Sequence, residues 1–458
     1  MRPLLLSVLV ACGTSTVPPD ARPDLDVEGV QAEFRPSAAA VADLVGVSYQ
    51  LPGEPTPAAQ AIRGFAEGVL RQAGIHHARA DLLWAIVEPT RGAFDWSSYH
   101  VKVEGYASAG VETLPILCYG NPWANAKPGL TTVPPDDVAD YAAYAAAAAT
   151  EFHGRLPVYE IWNEENLGFQ FWQPREQPDR YGDLLAAAAT SIRAADPAAR
   201  VMLGGLLDHA YVNLDAETFL QRLYRARPQI ASSYDILAIH PYMTYPPAVE
   251  PERDDAATGE IDEPRMIARL RAVLAYWGDD PARPLWATEV GWPTFKTVDE
   301  DRQARWTVRS LLLLAGAGVD RVFVYTMFDG ANPSGSAEDA FGLFHYQDAG
   351  GGTFAPAPKL AWTALATLLA IAGPLAITAD VSTQLAGAPT DARAYRLTGT
   401  GARRVTVVWR ADDSAATTKV TVPVASTSLQ VVDMLGAPLP ASAAVPLSGR
   451  PVYVIENP

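Results

Sequence analysis

The stretch Leu156-Pro157-Val158-Tyr159-Glu160-Ile161-Trp162, followed by an alanine-rich segment from Tyr181 to Ala195, decides the fold of this chain. A short apolar run rich in β-branched and aromatic residues is typical of a buried strand. The Ala/Leu/Arg-rich segment after it is typical of a helix. Together the two segments predict one strand–helix unit.

The same unit recurs along the chain. Apolar runs of this kind begin about 30 to 50 residues apart, which is the spacing of successive strand–helix units. Eight such runs are present, at Leu44–Tyr49, His77–Leu83, Glu112–Cys118, Leu156–Trp162, Arg200–Leu206, Tyr234–His240, Pro284–Glu289 and Asp320–Met327. Eight units predict an α/β fold, the (β/α)₈ TIM barrel, over residues 41–375.

Helical patterns separate the apolar runs. Besides the segment after the fourth run, they cover Asp136–Phe152, with Asp136 as the predicted N-cap, Glu300–Ala315 and Lys359–Ala372. A doubly wound open sheet is the alternative architecture. It is disfavoured because no glycine-rich phosphate loop follows the first run.

The pattern changes after Gly373, where the helical segments stop. Short apolar runs separated by Gly, Pro, Asp and Ser predict an antiparallel β-sandwich over residues 376–458. The runs are Ala394–Leu397, Val405–Ala411, Lys419–Val424, Leu429–Met434 and Pro451–Ile455. We expect this domain to support the barrel and to pack on it, because no Ser/Gly-rich linker precedes it. Carbohydrate binding is the alternative role.

The N-terminus carries features of export. Residues 1–12 hold a short apolar run after Arg2, and Leu9-Val10-Ala11-Cys12 resembles a lipobox, which predicts a signal peptide and lipidation of Cys12. A plain secretory signal is the alternative. Residues 13–40 read as a flexible linker with one strand around Val27–Phe34. The predicted location is the bacterial cell envelope or the exterior, as an outer-membrane lipoprotein.

Charge and composition exclude several partners. The net charge is −17 without any basic run, so nucleic-acid binding is not expected. No later segment is apolar enough to span a bilayer, which leaves the lipid as the predicted membrane contact. The other cysteine, Cys118, lies in an apolar run and is predicted to be a buried thiol. The 11 Trp and 18 Tyr residues suit a cleft that binds sugar.

Two of the predicted strands end on glutamates. The fourth run continues into Asn163-Glu164-Glu165, and the seventh ends at Glu289. Active sites of TIM barrels form at the carboxyl ends of the strands, and strands four and seven lie on opposed sides of the mouth. Glycoside hydrolysis requires one carboxylic acid and one carboxylate around the scissile bond. The pair therefore predicts a glycoside hydrolase acting on an oligo- or polysaccharide.

Further motifs resemble the clan A glycoside hydrolases, and within them family 39, the β-xylosidases and exopolysaccharide hydrolases. The resemblance covers residues 43–375. Its parts are the Asn163-Glu164 pair, Thr288-Glu289-Val290-Gly291-Trp292-Pro293, His240-Pro241-Tyr242, the run Arg79, Asp81, Trp84, Glu88-Pro89, Gly92 and Phe94-Asp95-Trp96, and the segments Phe341-Gly342-Leu343 and Pro358-Lys359-Leu360-Ala361-Trp362. It implies that Glu164 is the acid/base, that Glu289 is the nucleophile and that cleavage retains configuration, without a metal or other cofactor.

The same resemblance assigns roles around the pair. Asn163 would bind the sugar 2-hydroxyl, Tyr242 would donate to Glu289, and His240 would contact either sugar or Glu164. Arg79 would neutralise a buried carboxylate, Glu289 or Glu160, because a buried charge requires a partner. Structural roles remain the alternatives, and Glu160 is read as a member of a barrel-core ion pair. Glu164 should stay protonated through burial and the charge of Glu289.

Two departures from the family pattern matter. Glu165 stands where proline often follows the acid/base, which leaves open which glutamate is catalytic; the preceding Asn favours Glu164. The eighth run lacks the Trp that often contacts sugar, and Phe328 could replace it. The remaining candidates for sugar stacking, each with core packing as the alternative, are Trp123, Trp162, Trp172 and Trp292.

Two other functions compete. A metal-dependent TIM-barrel hydrolase would need clustered ligands, but no His-x-His ends the first run. A non-catalytic carbohydrate-binding barrel would not need both glutamates. The sequence does not determine the glycan, or whether cleavage is endo or exo.

Overall fold

Eight parallel strands close into a barrel in the computed structural model of this protein, which describes residues 22–127, 129–208, 212–243, 249–254, 261–346, 354 and 356–458. The barrel strands are β1 Val45–Ser48, β2 His77–Leu83, β3 Glu112–Cys118, β4 Val158–Asn163, β5 Arg200–Leu207, β6 Leu237–His240, β7 Leu285–Val290 and β8 Arg321–Tyr325. Pairing of Val45 with Val322 joins β1 to β8 and completes the ring. The predicted TIM barrel is confirmed.

Helices alternate with the strands around the barrel. They are α1 Val41–Leu44, α2 Pro57–Ala73, α3 Trp84–Val87, α4 Ser97–Ser108, α5 Val138–Glu151, α6 Pro178–Ala195, α7 Ala216–Ala226, α8 Glu263–Trp277, α9 Glu300–Gly316 and α10 Leu360–Ala372. The cap of α5 is Asp137, whose side chain accepts from the amide of Ala139, so the predicted cap Asp136 was one residue early. In the described part of the chain, no helix is long and apolar enough to cross a membrane.

Large apolar side chains fill the barrel, which is therefore a packed core and not a pore. They come from six of the eight strands and from the approach to β6, and comprise Leu114, Val158, Met202, Ile236, Ala238, Trp286 and Phe323. The opposite faces of the strands pack against the helices. Cys118 is buried and unpaired, as the sequence predicted.

The C-terminal domain is built from antiparallel sheets. Its strands are β11 Ala376–Asp380, β12 Ala392–Thr398, β13 Arg404–Arg410, β14 Thr418–Thr421, β15 Leu429–Asp433, β16 Pro438–Leu439, β17 Ala444–Leu447 and β18 Val452–Glu456, after the short hairpin β9 Phe344–His345 and β10 Ala357–Pro358. A six-stranded sheet, β11-β12-β13-β18-β15-β16, and the pair β14-β17 enclose a Val/Leu core. This confirms the predicted β-sandwich.

A buried arginine joins the sandwich to the barrel. Arg309 on α9 donates to Glu252, and its other nitrogens reach Asp413 and the carbonyl of Ala411 in the C-terminal domain. Its side chain is fully buried. Trp306 and Arg305 also donate to Asp413. The predicted packing of the two domains is confirmed by these contacts.

Residues 22–40 differ from the flexible linker that the sequence predicted. Gln221 binds the backbone of Leu25 in both directions, and the amide of Arg35 donates to the carbonyl of Gly316. Phe34 packs its ring against Tyr395. The predicted strand at 27–34 is absent: the flanking amides of Leu25 and Arg35 bind α7 and α9, and the ring of Phe34 packs on β12. Cys12 and the rest of residues 1–21 lie outside the described residues.

Candidate active site

A cavity of about 690 Å³ opens at the carboxyl ends of the barrel strands. Parallel strands bring their last residues to one edge, so side chains far apart in sequence meet there. Its lining includes both predicted catalytic glutamates, Glu164 and Glu289. Other polar residues that line it are Gln50, Arg79, Asp81, Tyr119, Asn163, Tyr242, Tyr325, Thr326 and Glu338.

Glu164 and Glu289 face each other across the floor of the cavity. One carboxylate oxygen of each and a ring nitrogen of His240 lie within 4.8 Å of one another. The carboxyl groups of retaining glycosidases stand about 5 to 5.5 Å apart, whereas inverting pairs are about 6.5 to 9.5 Å apart. The geometry of this pair therefore suits nucleophilic attack, without room for an intervening water.

Glu165 points away from the cavity. It is buried beside Gly204, where an added Cβ would lie 2.3 Å from its Oε2. Burial raises the pKa of Glu165 to about 8. As strand alternation predicted, the side chains of Glu164 and Glu165 point to opposite sides. The regular alternation of side chains nevertheless breaks at the strand end, because Trp162 and Glu164 have φ values of 72° and 49°. Asn163 and Glu164 consequently both reach the cavity.

Arg79 holds the floor together. Its Nε and Nη2 donate to the two oxygens of Glu160 at 2.7 and 3.0 Å, and Nη1 donates to Glu289 Oε1 at 2.5 Å. Nη2 also reaches Asn163 Oδ1 at 2.8 Å. The guanidinium is almost fully buried, so its charge is matched by carboxylates and not by water. Both sequence predictions for Arg79, and the core ion pair of Glu160, match these contacts.

Asn163 and Tyr242 also take part in the hydrogen bonds around the two glutamates. The Asn163 amide donates to the hydroxyl of Tyr119 at 3.2 Å, and both side chains line the cavity. The Tyr242 hydroxyl donates to Glu289 Oε2 at 3.3 Å, as the sequence predicted. Glu289 thus receives one donor on each oxygen, from Arg79 and from Tyr242, which fixes the plane of its carboxylate.

A buried relay runs from Glu164 to Glu160. His240 contacts Glu164 Oε1 through Nδ1 at 2.7 Å and Thr288 Oγ1 through Nε2 at 3.0 Å, and Thr288 donates to Glu160 Oε1 at 3.2 Å. Since the Thr288 proton goes to Glu160, its oxygen accepts from Nε2–H. Gly205 permits this packing, because a Cβ there would lie 2.1 Å from His240 Nε2. His240 itself does not line the cavity, so of its two predicted contacts it makes the one to Glu164.

The two catalytic candidates differ in acidity. Burial and the charge of Glu289 raise the pKa of Glu164 well above its ordinary range, despite Arg79. Burial raises the pKa of Glu289 to about 7, while Arg79 opposes the rise by charge and by hydrogen bond. Burial and the charge of Arg79 hold the pKa of His240 well below its usual range, so the ring is neutral. Glu289 ionises first, and Glu164 keeps the proton.

None of the five aromatic residues predicted to stack on sugar lines the cavity, and their stacking stays a prediction. Trp123 donates to the Glu88 carbonyl and is covered by Arg91, and Trp292 donates to the Val249 carbonyl. Phe328 packs against three phenylalanines and Tyr49, while Trp162 and Trp172 are fully buried against each other.

Other aromatic residues form the wall beside Glu164. Phe171 stacks on Tyr119 with ring centres 5.5 Å apart, and Phe169 is 62% exposed at the rim. Leu167, Leu207 and Val212 continue the same wall. Phe169 and Phe171 follow Glu164 in sequence, but the sequence does not show whether an apolar residue in a loop lines a cavity or packs in the core.

Sequence reasoning missed Glu338 and Tyr325 of the site, and it quoted Asp81 only as part of a family motif, without a role. Asp81 lines the cavity from β2, and Glu338 lies in a 3₁₀ helix, Glu338–Ala340, after β8. The Tyr325 hydroxyl donates to Glu338 Oε1 at 2.5 Å. Asp81 could have been found from its position two residues after Arg79 on the same strand face. Glu338 had no such marker, since twelve residues, 326–337, separate it from the strand end.

Comparison with known proteins supports the fold. No family model matches the chain, and no curated protein does. Among solved structures, a family 39 glycoside hydrolase from Bacteroides cellulosilyticus is similar with a TM-score of 0.72 and 20% identity, over 91% of this chain and 81% of that one. A family 39 β-xylosidase from Caulobacter crescentus has a TM-score of 0.60 and 16% identity, over 94% and 99%.

The family 30 xylanase C of Talaromyces cellulolyticus is similar with a TM-score of 0.61 and 11% identity, over 93% of this chain and 99% of that one. At these identities the similarity shows that the chain shares the fold of these glycoside hydrolases. The likeness predicted from the sequence is confirmed at that level.

Proposed function

We propose that this protein is a retaining glycoside hydrolase that cleaves a β-glycosidic bond in an oligo- or polysaccharide. The observation that carries the proposal is the approach of Glu164 and Glu289 to within 4.8 Å on the cavity floor. Their environments differ as an acid and a nucleophile require: Glu164 keeps its proton, whereas Glu289 is held in its ionised form by Arg79 and Tyr242.

In the first step, the carboxylate of Glu289 attacks the anomeric carbon while Glu164 gives its proton to the glycosidic oxygen. The bond between that carbon and oxygen breaks, and the leaving group departs as an alcohol. The products are a glycosyl ester on Glu289 and an ionised Glu164.

In the second step, Glu164 accepts a proton from water, whose oxygen attacks the anomeric carbon. The ester bond breaks, and its electron pair returns to Glu289 as a carboxylate. Both glutamates recover their starting states, and the product keeps the configuration of the substrate.

Three neighbours support these steps. Arg79 and Tyr242 orient Glu289 and stabilise its ionised form through the hydrogen bonds described above. Asn163 lies within the cavity beside both glutamates, where its amide can bind the sugar 2-hydroxyl, a contact that strengthens in the transition state. We place the leaving group against Phe169 and Phe171, because both line the cavity on the loop that follows Glu164.

The experiment is hydrolysis of a polysaccharide panel by wild type and by Glu164→Gln, Glu289→Gln and Glu165→Gln, followed by mass analysis of the products. We expect the first two substitutions to remove nearly all turnover. Glu165→Gln tests the open assignment, since that side chain is buried behind the site. Loss of turnover in Glu165→Gln alone would show that the neighbour had been chosen wrongly.

Two controls separate the competing functions. The oxygens of Glu164 and Glu289 and a nitrogen of His240 are close enough to meet at one ion, but Arg79 already places positive charge on Glu289. Dialysis against a chelator should therefore leave turnover unchanged. A non-catalytic binding protein would bind glycans from the same panel without releasing any product.

We further propose that the protein is exported and anchored through a lipid on Cys12, because Leu9-Val10-Ala11-Cys12 follows an apolar segment. Full-length protein made in bacteria should incorporate labelled fatty acid and partition into detergent. Cys12→Ser should abolish both, and label that persists in this variant would contradict the proposal.

A further inference from the structure

An apolar cluster lines the cavity and is separate from the clusters that fill the barrel, surround it and fill the sandwich. Its buried members are Leu167, Leu207, Tyr242 and Phe341, with Phe171, Val212 and Tyr325 packed against them. Every one of these side chains lines the cavity. A ligand in the cavity would therefore meet the cluster as an apolar surface.

The part of this surface beside the acid, the apolar wall, comes from the loops after β4 and β5. It comprises Leu167, Phe169, Phe171, Leu207 and Val212, which all line the cavity. Phe169 is 62% exposed, the highest value among the large apolar side chains of the described residues. Because the wall follows Glu164, which gives its proton to the leaving oxygen, the leaving group meets this surface.

Polar side chains line the cavity on the opposite side of the barrel, at β1 and β2. Ser48 ends β1, Gln50 follows it and Asp81 lies on β2. Gln50 Oε1 is buried and accepts no hydrogen bond within the described residues. Sugar hydroxyls need such acceptors, because a buried hydroxyl without a partner is unfavourable. The sugar that becomes attached to Glu289 is therefore placed on this side, and the apolar wall receives the group that leaves.

Within the described residues, the surroundings of the apolar wall offer few hydrogen bonds. Tyr242 donates to Glu289 and Tyr325 donates to Glu338, so the protons of both hydroxyls are directed away from a leaving group. Gln170 is the polar side chain that lines the cavity from the loop after β4, and it is exposed at the rim. Leucine, valine and phenylalanine side chains offer no hydrogen-bond partner to the hydroxyls of a sugar.

Resting on the proposed function, we infer a further activity: the protein cleaves glycosides whose leaving group is an apolar alkyl or aryl alcohol, and it transfers the same sugar to such alcohols. In the transfer, Glu164 accepts the proton of the alcohol, whose oxygen attacks the anomeric carbon of the glycosyl ester. The ester bond breaks, and its electron pair returns to Glu289 as a carboxylate. This step reverses the first step of cleavage, so leaving group and acceptor contact the same apolar wall.

The transfer reaction tests the inference for whichever sugar is cleaved. A glycan that the protein hydrolyses serves as the donor, and hexanol, benzyl alcohol, methanol or glucose is added as the acceptor at equal concentration. Burial of each methylene is worth about a fourfold factor, so a wall that covers about three of them should favour the hexyl over the methyl product on the order of 50-fold. Benzyl alcohol should behave like hexanol. Mass analysis measures each product, and hexyl and methyl β-glucosides and β-xylosides are assayed for cleavage beside it.

Variants of the wall should change the ratio of hexyl to methyl product. Phe169→Ser together with Val212→Thr replaces apolar by polar surface and should lower the ratio about tenfold. Phe169→Leu keeps the rim apolar and should retain most of the ratio. Ile86→Ser is the matched control, because Ile86 is 59% exposed but does not line the cavity, and it should leave the ratio unchanged.

The outcomes separate this inference from the proposed function. A hexyl to methyl ratio near one, more product with glucose than with hexanol, or a ratio unchanged in the double variant would overturn the inference while hydrolysis of the donor upholds the proposed function. Hydrolysis of the donor without any hexyl product would have the same meaning. Failure to cleave any glycan or alkyl glycoside would overturn both.

Discussion

His240 Nδ1 lies 2.7 Å from Glu164 Oε1, and this contact fixes which oxygen of Glu164 carries its proton. The ring is neutral, and its Nε2–H is engaged by Thr288, whose own proton goes to Glu160. Nδ1 is therefore the unprotonated nitrogen, and it accepts from the carboxyl group of Glu164. The tautomer is deduced from this network of donors and acceptors.

The relay predicts the effect of Thr288→Val on the pH profile. Without the Thr288 acceptor, the histidine proton can move to Nδ1 and donate to ionised Glu164, which favours the charged form and lowers the pKa of Glu164. Since the acid must be protonated to act, the alkaline limb of kcat/KM should move to lower pH. Initial rates across a pH series measure this.

The control for this prediction is a conservative substitution at the same position. Thr288→Ser keeps the hydroxyl and should restore the wild-type limb. The other charged or titratable groups near Glu164 remain in both variants, namely Arg79, Glu165, His240, Tyr242, Glu289 and Glu338. An alkaline limb that stays fixed in Thr288→Val would show that Thr288 does not set the tautomer.

Arg79→Met should affect stability and catalysis together. It leaves Glu160 and Glu289 buried without their shared cation, and breaking a buried pair in this way costs about 3 to 5 kcal/mol of unfolding free energy. The lost charge also raises the pKa of Glu289, so the acid limb of the pH profile moves to higher pH. Urea titration and rate measurements test the two effects.

A matched surface variant provides the comparison. Arg91 pairs with Asp140, but its side chain is 63% exposed, so Arg91→Met should cost about 0 to 1 kcal/mol and leave the pH profile unchanged. Equal destabilisation by the two substitutions would contradict the role given to Arg79.

The sequence could predict the barrel because each strand and each helix has its own local pattern. The bounds of β2 and β3 agree residue for residue with the predicted runs. Glu164 and Glu289 could be found for a related reason: strand order alone brings the ends of β4 and β7 to one mouth. Neither inference required knowledge of side-chain packing.

The walls of the cavity could not be predicted in this way. Whether Trp123 or Phe171 faces the cavity depends on long-range packing. Trp123 lies under the guanidinium of Arg91 and donates to the carbonyl of Glu88, and so does not reach the cavity. The positive φ of Trp162 changes the direction in which the Asn163 side chain points. The residue types of this segment do not predict that φ value. Glu338 reaches the site through the fold of its loop.

Arg309→Met should weaken the packing of the β-sandwich on the barrel. Its guanidinium bridges Glu252 and Asp413 in a fully buried position, so its loss should lower the unfolding free energy by about 3 to 5 kcal/mol. Because the contact lies outside the cavity, kcat of the folded fraction should not change. Calorimetry and initial rates measure the two quantities, with Arg450→Met, an exposed arginine that pairs with Asp301, as the control. Full retention of stability would mean that the remaining contacts, among them those of Arg305 and Trp306 with Asp413, hold the domains together without Arg309.

The stereochemistry of the product tests the spacing of the glutamates most directly. Oxygens of Glu164 and Glu289 within 4.8 Å leave no room for a water between Glu289 and the anomeric carbon, so Glu289 must attack that carbon itself. NMR of the first-formed anomer should show the configuration of the substrate. Glu289→Ala should lose nearly all turnover, whereas Glu164→Ala should keep part of it on aryl glycosides, whose leaving groups need no proton. Azide should accelerate Glu164→Ala by attacking the ester without general-base help. An inverted first product would exclude a glycosyl–Glu289 intermediate, and with it the double displacement.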